Sequence, residues 1–410
     1  MEIEGRRFEE YLPFIDEETK ERIISLAIKL EGLKLTHVNA TSFGGGVAEI
    51  LRSLIPLMNS VGLKCEWEVI EAPNDFFNVT KKFHNTLQGA DIEISQEEWE
   101  LYEKVVEENV RKLELAGDFI VIHDPQPAAI PIYYNNRKRW IWRCHIDLST
   151  PNESIWKRFS KYLRSYERYI FHLEEYFQSD LRERSVAFPP SIDPLSDKNR
   201  ELSEKEIKSV LERFNIDPSR PIITVVARFD PWKDLKSAVD VFRKVKEEVK
   251  NACLIIISAM AHDDPEGWIL YEEVKKYVGK DPDIRILTNI DGVGNLEVNA
   301  LQRVSTVALH TAIREGFGLV ISEAFWKGVP VVARPVGGVK LQVINDFNGY
   351  LEWNVNDLAR KVVKLIHDSA KRRLFGERGR ETVRKQFLIT SHLERYLKLV
   401  EEMGRGKTGE

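Results

Sequence analysis

Two glutamates flank a glycine turn in the stretch REGFGLVISEAFWKGVPVVA, which runs from Arg314 to Ala333. Gly316 and Gly318 permit a tight turn, and the helix predicted after it presents free N–H groups to an anion. Glu315 stands before the turn, whereas Glu323 lies about two helical turns beyond it. Because that spacing prevents them from sharing one proton, we expect the two carboxylates to grip different parts of one elongated ligand, on either side of bound phosphates. Two glutamates that merely stabilise a helix dipole would leave the intervening glycines unexplained.

Two cations follow the predicted strand PIITVVA, in the segment VVARFDPWKD. Arg228 and Lys233 stand five residues apart there. A guanidinium and an ammonium on one loop suit a diphosphate, and an ordinary surface charge pair is the alternative. We favour the diphosphate interpretation, because ligands of open α/β sheets bind beyond the carboxyl ends of the strands.

Three further candidates follow strands in the first half of the chain. Gly45 and Gly46, in FGGGVAEIL, suit an ordinary strand-to-helix turn as well as they suit a bound phosphate or sugar. Asp124, in VIHDPQP, either accepts hydrogen bonds from sugar hydroxyls or caps a local turn. His145, in WRCHIDLS, is either a packed or a catalytic histidine. The residues alone leave these alternatives open.

A possible metal site in AHDDPEGW is the weaker of two interpretations. Adjacent aspartates point in different directions on most backbones, and the following proline marks a turn. We therefore predict a turn and no metal site at His262, Asp263 and Asp264.

Short apolar runs alternate with helical patterns along the 410 residues, a length that suits two domains. The runs are continuous rather than alternating, which predicts parallel sheets with helices on both faces and hence the α/β class. Two such domains facing each other would share one cleft. The predicted strands are LKLTHVN, CEWEVI, DFIVIHD, RWIWRC and RYIFHL in the first half, then PIITVVA, CLIIISA, IRILT, TVALH and VPVVA in the second.

The predicted domain boundary lies in FPPSIDPLSDKNRELSEKEI, where prolines break regular structure and give a linker at residues 188–202. Ser203 and Glu206 form a capping box that starts a new helix. An insertion at residues 73–117 lacks strong strands, and we interpret it as a lid or a wall of the cleft. The predicted domains are residues 1–190, residues 203–385, and a final helix within residues 386–410 that packs back on the first domain.

Composition indicates a globular chain, with 43% hydrophobic and 30% charged residues. The longest apolar run, ACLIIISAMA, is far shorter than the roughly 20 residues of a membrane span. Because the start MEIEGRRFEE has no apolar signal region, we expect a cytoplasmic protein. A net charge of -5 gives no basic footprint for nucleic acid, and abundant Lys and Glu suit a thermophilic protein. Buried thiols rather than disulfides are predicted at Cys65, Cys144 and Cys253.

The E-x7-E pattern around GFGL, followed by SEAFWKGVPVVA and a glycine pair, resembles the donor site of retaining GT-B glycosyltransferases of the glycogen-synthase and sucrose-synthase-like group (family 4). TSFGGGVAEIL, HDPQPA, WRCHIDLS, RFDPWKD, MAHDDPEGW and LTNIDGVG more closely resemble the trehalose-forming synthases of archaea. The resemblance implies a GT-B hexosyltransferase, with two Rossmann-like domains facing across a cleft. It would move glucose reversibly from UDP-, ADP- or GDP-glucose to free glucose and form α,α-trehalose. The same donor chemistry with fructose, a sugar phosphate or a glucan as acceptor is the alternative.

The resemblance also implies roles at the donor. Glu323 would hold the ribose hydroxyls of the nucleotide, and Glu315 would bind hydroxyls of the donor sugar beside the reacting carbon. Arg228 and Lys233 would neutralise the diphosphate leaving group, so these two cations and Glu315 count as catalytic. The other donor-binding positions would be Gly45, Gly46, Asn289, Ile290, Gly316, Phe317, Gly318 and Leu319, with the backbone after RILT contacting the base.

At the acceptor, the resemblance implies that Asp124 holds sugar hydroxyls. His145 would lie near the donor hydroxymethyl group and the anomeric carbon, and so would serve catalysis and acceptor binding. The stretch HTAIRE before the first glutamate lacks the small polar residue that members often carry, which concerns fine specificity.

The implied partners are a nucleoside diphosphate glucose and glucose or trehalose, with no nucleic acid and no membrane. The resemblance admits a homodimer. The resemblance implies that the enzyme requires no cofactor and that Mg²⁺ would be non-essential. A nucleotide-sugar 2-epimerase and a non-catalytic sugar-nucleotide sensor are competing hypotheses, against which the full set Arg228, Lys233, Glu315 and Glu323 argues.

Overall fold

The computed structural model describes residues 5–42, 45–134, 138–260 and 265–405. Its contacts divide the chain into two compact units. Unit 1 comprises Met1–Ser191 and Ile389–Glu410, and unit 2 comprises Ile192–Leu388. The chain therefore passes from unit 1 to unit 2 between Ser191 and Ile192, inside the proline-containing stretch predicted as a linker.

Unit 1 contains a six-stranded parallel sheet in the order β2-β1-β3-β4-β5-β6. Its strands are β1 (Lys34–Asn39), β2 (Lys64–Val69), β3 (Phe119–His123), β4 (Arg139–Arg143), β5 (Arg168–Phe171) and β6 (Ser185–Ala187). Its helices are α1 (Phe8–Tyr11), α2 (Glu17–Lys29), α3 (Gly45–Ser60), α4 (Asn74–Leu87), α5 (Gln96–Val110), α6 (Ile130–Tyr133), α7 (Glu153–Phe159) and, at the end of the chain, α16 (Ile389–Arg405). The strand order reverses between β1 and β3.

Unit 2 contains a second six-stranded parallel sheet, in the order β12-β11-β10-β7-β8-β9. Its strands are β7 (Ile222–Val226), β8 (Cys253–Ser258), β9 (Ile284–Thr288), β10 (Val307–His310), β11 (Val331–Ala333) and β12 (Gly349–Leu351). Its helices are α8 (Glu204–Arg213), α9 (Leu235–Glu248), α10 (Pro265–Val278), α11 (Asn295–Arg303), α12 (Leu319–Trp326), α13 (Val339–Gln342), α14 (Val355–His367) and α15 (Ser369–Gln386). Here the order reverses between β7 and β10.

The predicted α/β class and the ten predicted strands are confirmed, and every strand pair is parallel. Strands β6 and β12 were not predicted from the sequence. Each spans three residues at the edge of its sheet, and the segments SVA and GYL each hold only two apolar residues, so no apolar run stands out. The capping box is confirmed as well, because the Ser203 N–H donates to Glu206 Oε2 over 2.8 Å at the start of α8.

The insertion at residues 73–117 forms part of the core of unit 1. Phe76 and Phe83 of α4 are fully buried, as is Tyr102 of α5, and Trp99 is almost so. The Tyr102 hydroxyl donates to the carbonyl of Pro125 over 2.9 Å, in the loop that follows β3. The insertion therefore supports the segment next to Asp124, and replacing it with a short loop would remove part of the hydrophobic core.

The three cysteines are buried, as predicted: Cys65, Cys144 and Cys253. Among the described residues, no helix combines the length and the apolar character that crossing a membrane requires.

Candidate active site

The residues predicted to do chemistry in unit 2 lie where the strand order reverses. Lys233 ends a short 3-10 turn after β7, and Glu315 follows β10, the neighbouring strand. In open parallel sheets, ligands bind in the crevice at such a reversal, outside the carboxyl ends of the strands. The topology thus brings together two loops that are 82 residues apart in the chain.

Lys233 and Glu315 form a largely buried ion pair. Lys233 Nζ donates to Glu315 Oε2 over 2.6 Å, and His310 Nε2 lies 3.1 Å from the same oxygen. Burial raises the pKa of Glu315, but the Lys233 ammonium and His310 outweigh that effect and hold the pKa well below its ordinary value. Glu315 is therefore an ionised hydrogen-bond acceptor across the physiological pH range.

The loop that carries Lys233 is held by a buried arginine. Arg334 Nη1 donates over 2.7 Å to both Asp234 Oδ2 and the Thr311 carbonyl. The Thr311 hydroxyl in turn donates to the Lys233 carbonyl over 3.1 Å. Asp234 has a left-handed φ of 46° and caps α9, so the backbone beside Lys233 is fixed from both sides.

The glycine turn between the two glutamates is built for close backbone packing. Gly318 caps α12 with a φ of 84°, which an L side chain rarely adopts. A Cβ on Gly338 would lie 2.5 Å from the Phe317 Cα, so the second glycine pair lets one loop press against the other. Gln342 Nε2 fixes the turn by donating to the Phe317 carbonyl over 2.7 Å. Leu319 is then the first residue of α12, whose N-terminal end carries the positive dipole.

Phe317 itself points into the core rather than outward. Its side chain is almost fully buried and packs on Phe387, with 5.3 Å between ring centroids. Only its backbone can therefore serve the donor role that the resemblance implies for this position.

Glu323 lies inside α12 and is 2% exposed. Its Oε1 is 3.4 Å from Lys198 Nζ, whereas its buried Oε2 has no hydrogen-bond partner within the described parts of the chain. Lys327 Nζ donates to the Glu323 carbonyl over 3.1 Å, and burial lowers the Lys327 pKa to about 7. A buried carboxylate oxygen with spare acceptor capacity suits a ligand hydroxyl.

Arg228 and the segment after β9 are more exposed to solvent than Lys233 and Glu315 are. Arg228 is exposed, and its Nη2 lies 3.3 Å from Asp230 Oδ2. The Asn289 side chain is tied to the backbone of Met260, accepting from its N–H over 2.7 Å and donating to its carbonyl over 3.0 Å. Ile290 is 60% exposed. These contacts fix the backbone at Asn289 and leave an apolar side chain beside it.

In unit 1, Asp124 follows β3 with a left-handed φ of 65°. Its Oδ1 accepts from the His145 N–H over 2.7 Å, which joins the loops after β3 and β4. Burial raises the pKa of Asp124 to about 7, although the hydrogen bond from His145 opposes the rise. The Asp124 carboxylate thus accepts a hydrogen bond from a backbone N–H, as a capping residue does. That N–H belongs to the neighbouring loop after β4 and not to the turn that contains Asp124.

Both ring nitrogens of His145 have histidine partners within unit 1. His123 Nδ1 lies 2.9 Å from His145 Nε2, and His172 Nε2 lies 3.4 Å from His145 Nδ1. Burial lowers the pKa of His145 well below its ordinary value, so the imidazole is neutral. Gly45 and Gly46 begin α3 after β1, next to the other reversal of strand order, and both are exposed.

Sequence reasoning missed His310, Arg334 and Lys198. His310 ends a predicted strand, and that position was the available signal for it. Arg334 and Lys198 act through partners distant in the chain, which no local pattern reveals. His262, Asp263 and Asp264 lie outside the described residues, and among those described no group of side chains could hold a metal ion.

The comparisons first define the class. Residues 206–382 match the family of glycosyl transferases group 1, and residues 37–178 match the trehalose synthase N-terminal domain. A solved UDP-forming α,α-trehalose-phosphate synthase from Burkholderia xenovorans superimposes with a TM-score of 0.71 at 16% identity, covering 90% of this chain and 98% of that one. The fold is GT-B, as predicted, and the protein is a hexosyltransferase.

Two full-length relatives then define the family. The trehalose synthase of Thermococcus litoralis is 51% identical over 97% of both chains. That of Pyrococcus horikoshii is 48% identical, again over 97% of both. The chain belongs to the trehalose synthase family and is a glycosyltransferase of trehalose metabolism.

Proposed function

We propose that the enzyme transfers glucose from a nucleoside diphosphate glucose to free glucose, forming α,α-trehalose with retention of the anomeric configuration. The buried pair of Lys233 and Glu315 at the strand reversal of unit 2 is the observation that carries this proposal. It places an ionised carboxylate, which can grip sugar hydroxyls, against a cation that can neutralise a phosphate.

The leaving diphosphate is the charge that this site has to stabilise. Breaking the bond between sugar and phosphate builds negative charge on the diphosphate and positive charge on the sugar. Lys233, held in its ion pair, and the more exposed Arg228 would supply positive charge, and the amides at the start of α12 would add hydrogen bonds. Removal of one such preorganised donor typically costs about 3 kcal/mol of barrier, or roughly 10²–10³ in rate.

Glu315 serves the donor sugar rather than acting as a nucleophile in this proposal. Its carboxylate is already held by Lys233 and His310, which lowers its basicity. The acceptor hydroxyl then attacks from the face that the diphosphate leaves, and the diphosphate oxygen accepts its proton. Mass spectrometry of the enzyme trapped with donor alone tests this step. A covalent glucosyl adduct would contradict it.

The nucleotide would lie along α12, where Glu323 accepts hydrogen bonds from the ribose. Its buried and unpartnered Oε2 supports this assignment. The base would contact the backbone at Asn289 and Ile290. We further propose that no metal cofactor is required, since Lys233 and Arg228 would both neutralise the diphosphate. Turnover in excess EDTA equal to that in Mg²⁺ is the expected result, and loss of turnover would overturn the point.

Asp124 would bind the acceptor in unit 1. The alternative acceptors are fructose, a sugar phosphate and a glucan, and the same donor chemistry would serve each of them. Incubating the enzyme with UDP-, ADP- or GDP-glucose against a panel of these acceptors distinguishes the cases. We expect nucleoside diphosphate release with glucose and much less with the others. Preferential release with another acceptor would keep the donor assignment and overturn the acceptor.

A further inference from the structure

A second buried polar cluster in unit 1 lies outside the residues assigned above. It consists of Arg143 at the end of β4, His37 on β1, and His392 and Tyr396 on α16, and we call it the Arg143 cluster. All four side chains are at most 1% exposed. The cluster thus joins the sheet of unit 1 to the helix that ends the described chain.

Ring contacts connect the members. The rings of His37 and Tyr396 lie 5.6 Å apart between centroids, and those of His392 and Tyr396 lie 5.2 Å apart. Arg143 pairs in register with His123 on β3, and His123 Nε2 is 2.9 Å from His37 Nδ1. The guanidinium is therefore next to a continuous line of rings.

The cluster contains donors that lack acceptors. Six buried atoms of the cluster have no hydrogen-bond partner within the described parts of the chain: Nε, Nη1 and Nη2 of Arg143, Nε2 of His37, Nδ1 of His392 and the Tyr396 hydroxyl. A guanidinium cannot shed its charge in a protein, and an unpaired buried charge is strongly destabilising. Most buried polar groups in proteins are hydrogen-bonded, so a concentration of six unpartnered atoms calls for a partner that brings acceptors.

The carboxylate whose charge acts on Arg143 does not meet this need. Asp124 acts on Arg143 electrostatically, but its Oδ1 is bound to the His145 N–H. Among the described residues, Arg143 forms no ion pair. Burial keeps the pKa values of His37 and His392 well below their ordinary value, so these rings offer N–H groups without adding charge. The Arg395 guanidinium on α16 also acts electrostatically on Arg143 and His392. Positive charge surrounded by neutral donors matches a small anion.

We propose that the Arg143 cluster binds one small inorganic oxyanion of the size of phosphate. The planar guanidinium fork suits two oxygens of such an ion, and the tyrosine hydroxyl and imidazole N–H groups are donors of the kind that the remaining oxygens accept from. The ion bridges the sheet and α16, and it thereby stabilises the folded unit 1. It is separate from the diphosphate of the donor, for which the proposed function assigns Lys233, Arg228 and the amides at the start of α12, all in unit 2.

The test uses inorganic phosphate and the full chain. Lys233→Met first weakens phosphate binding at the donor site, and equilibrium dialysis then counts the remaining ions. We expect one saturable phosphate per chain in Lys233→Met and none in Lys233→Met combined with Arg143→Met. At constant ionic strength, a tenfold excess of phosphate over its Kd should raise the Tm by about 3–6 °C in the first variant only.

Two further variants separate binding from folding. Arg182→Met, in the same background, removes an exposed arginine of unit 1 and should leave the phosphate count unchanged. Tyr396→Phe removes one donor and should weaken phosphate about fivefold if Arg143→Met fails to fold. Equal binding with and without Arg143, no saturable binding, unchanged affinity in Tyr396→Phe, or an equal Tm shift with chloride would each overturn the proposal.

Discussion

At the scale of single residues, the candidate site depends on the ion pair that Lys233 forms with the buried carboxylate of Glu315. Glu315 is buried, and burial disfavours the ionised form of a carboxyl group unless an opposite charge or hydrogen bonds favour it. Lys233 Nζ at 2.6 Å supplies that charge, and His310 adds a second contact on the same oxygen. In the proposed function, the pair would consequently bind the donor sugar and its diphosphate without a change of protonation.

Glu315→Gln should lower kcat by at least about 10²-fold while the affinity for UDP changes little. The amide keeps the shape but loses the charge that orients Lys233 and the donor sugar. Steady-state kinetics and calorimetric titration with UDP measure the two quantities. Near-normal turnover would show that Glu315 does not serve the reacting sugar.

Glu323→Ala should mainly weaken binding of the donor, by about 10-fold or more, because a charged acceptor for a hydroxyl contributes about 1.5–3 kcal/mol. Titration with UDP-glucose measures this, with Glu204→Ala at an exposed position of α8 as the matched control. An unchanged Kd would show that the ribose assignment is wrong.

The pH dependence of acceptor use should follow Asp124. Its pKa is raised to about 7, so the carboxylate is ionised above that pH and neutral below it. Because an ionised carboxylate is the stronger acceptor for sugar hydroxyls, kcat/KM for glucose should fall as the pH drops through about 7. In Asp124→Asn this inflection should disappear at a uniformly low rate. An inflection that persists in the variant would assign it to another group.

At the scale of elements, the candidate site is formed by loops that follow neighbouring strands. The Lys233 loop follows β7 and the Glu315 loop follows β10, and Arg334, just past β11, ties the first of these loops to Thr311. The order of the strands, rather than proximity in the chain, places the side chains together.

Arg334→Met should disturb the Lys233 loop and destabilise unit 2. It removes the cation that pairs with Asp234. Because Asp234 is partly solvated and keeps its hydrogen bond from Ser237, the loss of stability is correspondingly reduced. We expect a Tm several degrees lower and a kcat lower by about 10-fold or more, with Arg334→Lys recovering only part of both. A fall in Tm with unchanged kcat would limit Arg334 to a purely structural role.

The elements were largely predictable, because continuous apolar runs reveal buried parallel strands. Lys233 and Glu315 could be named as candidate site residues for the same reason, because each follows such an apolar run. The direct contact between them was not, because it depends on β7 and β10 being neighbours. The inward burial of Phe317 was equally invisible, since its partner Phe387 is 70 residues away in the chain.

At the scale of the whole molecule, the chain returns to its first unit at the end. Helix α16 buries Leu393, Leu397 and Val400 in unit 1. Each fully buried side chain of this kind contributes about 1.5–3 kcal/mol, against a total stability of about 5–15 kcal/mol for a typical protein.

Deletion of residues 389–410 should therefore unfold unit 1 and leave unit 2 folded. Limited proteolysis followed by mass spectrometry should show rapid cleavage within residues 5–191 and protection within residues 204–386. Protection of both units would show that α16 contributes little to the stability of unit 1.

The most direct test of the account is to incubate the purified enzyme with UDP-[¹³C]glucose, with and without unlabelled glucose, and to identify the product by NMR. We predict α,α-trehalose labelled in one ring together with released UDP, and no disaccharide when glucose is omitted. Release of UDP with the label in free glucose or in a β-linked product would contradict retaining transfer to glucose.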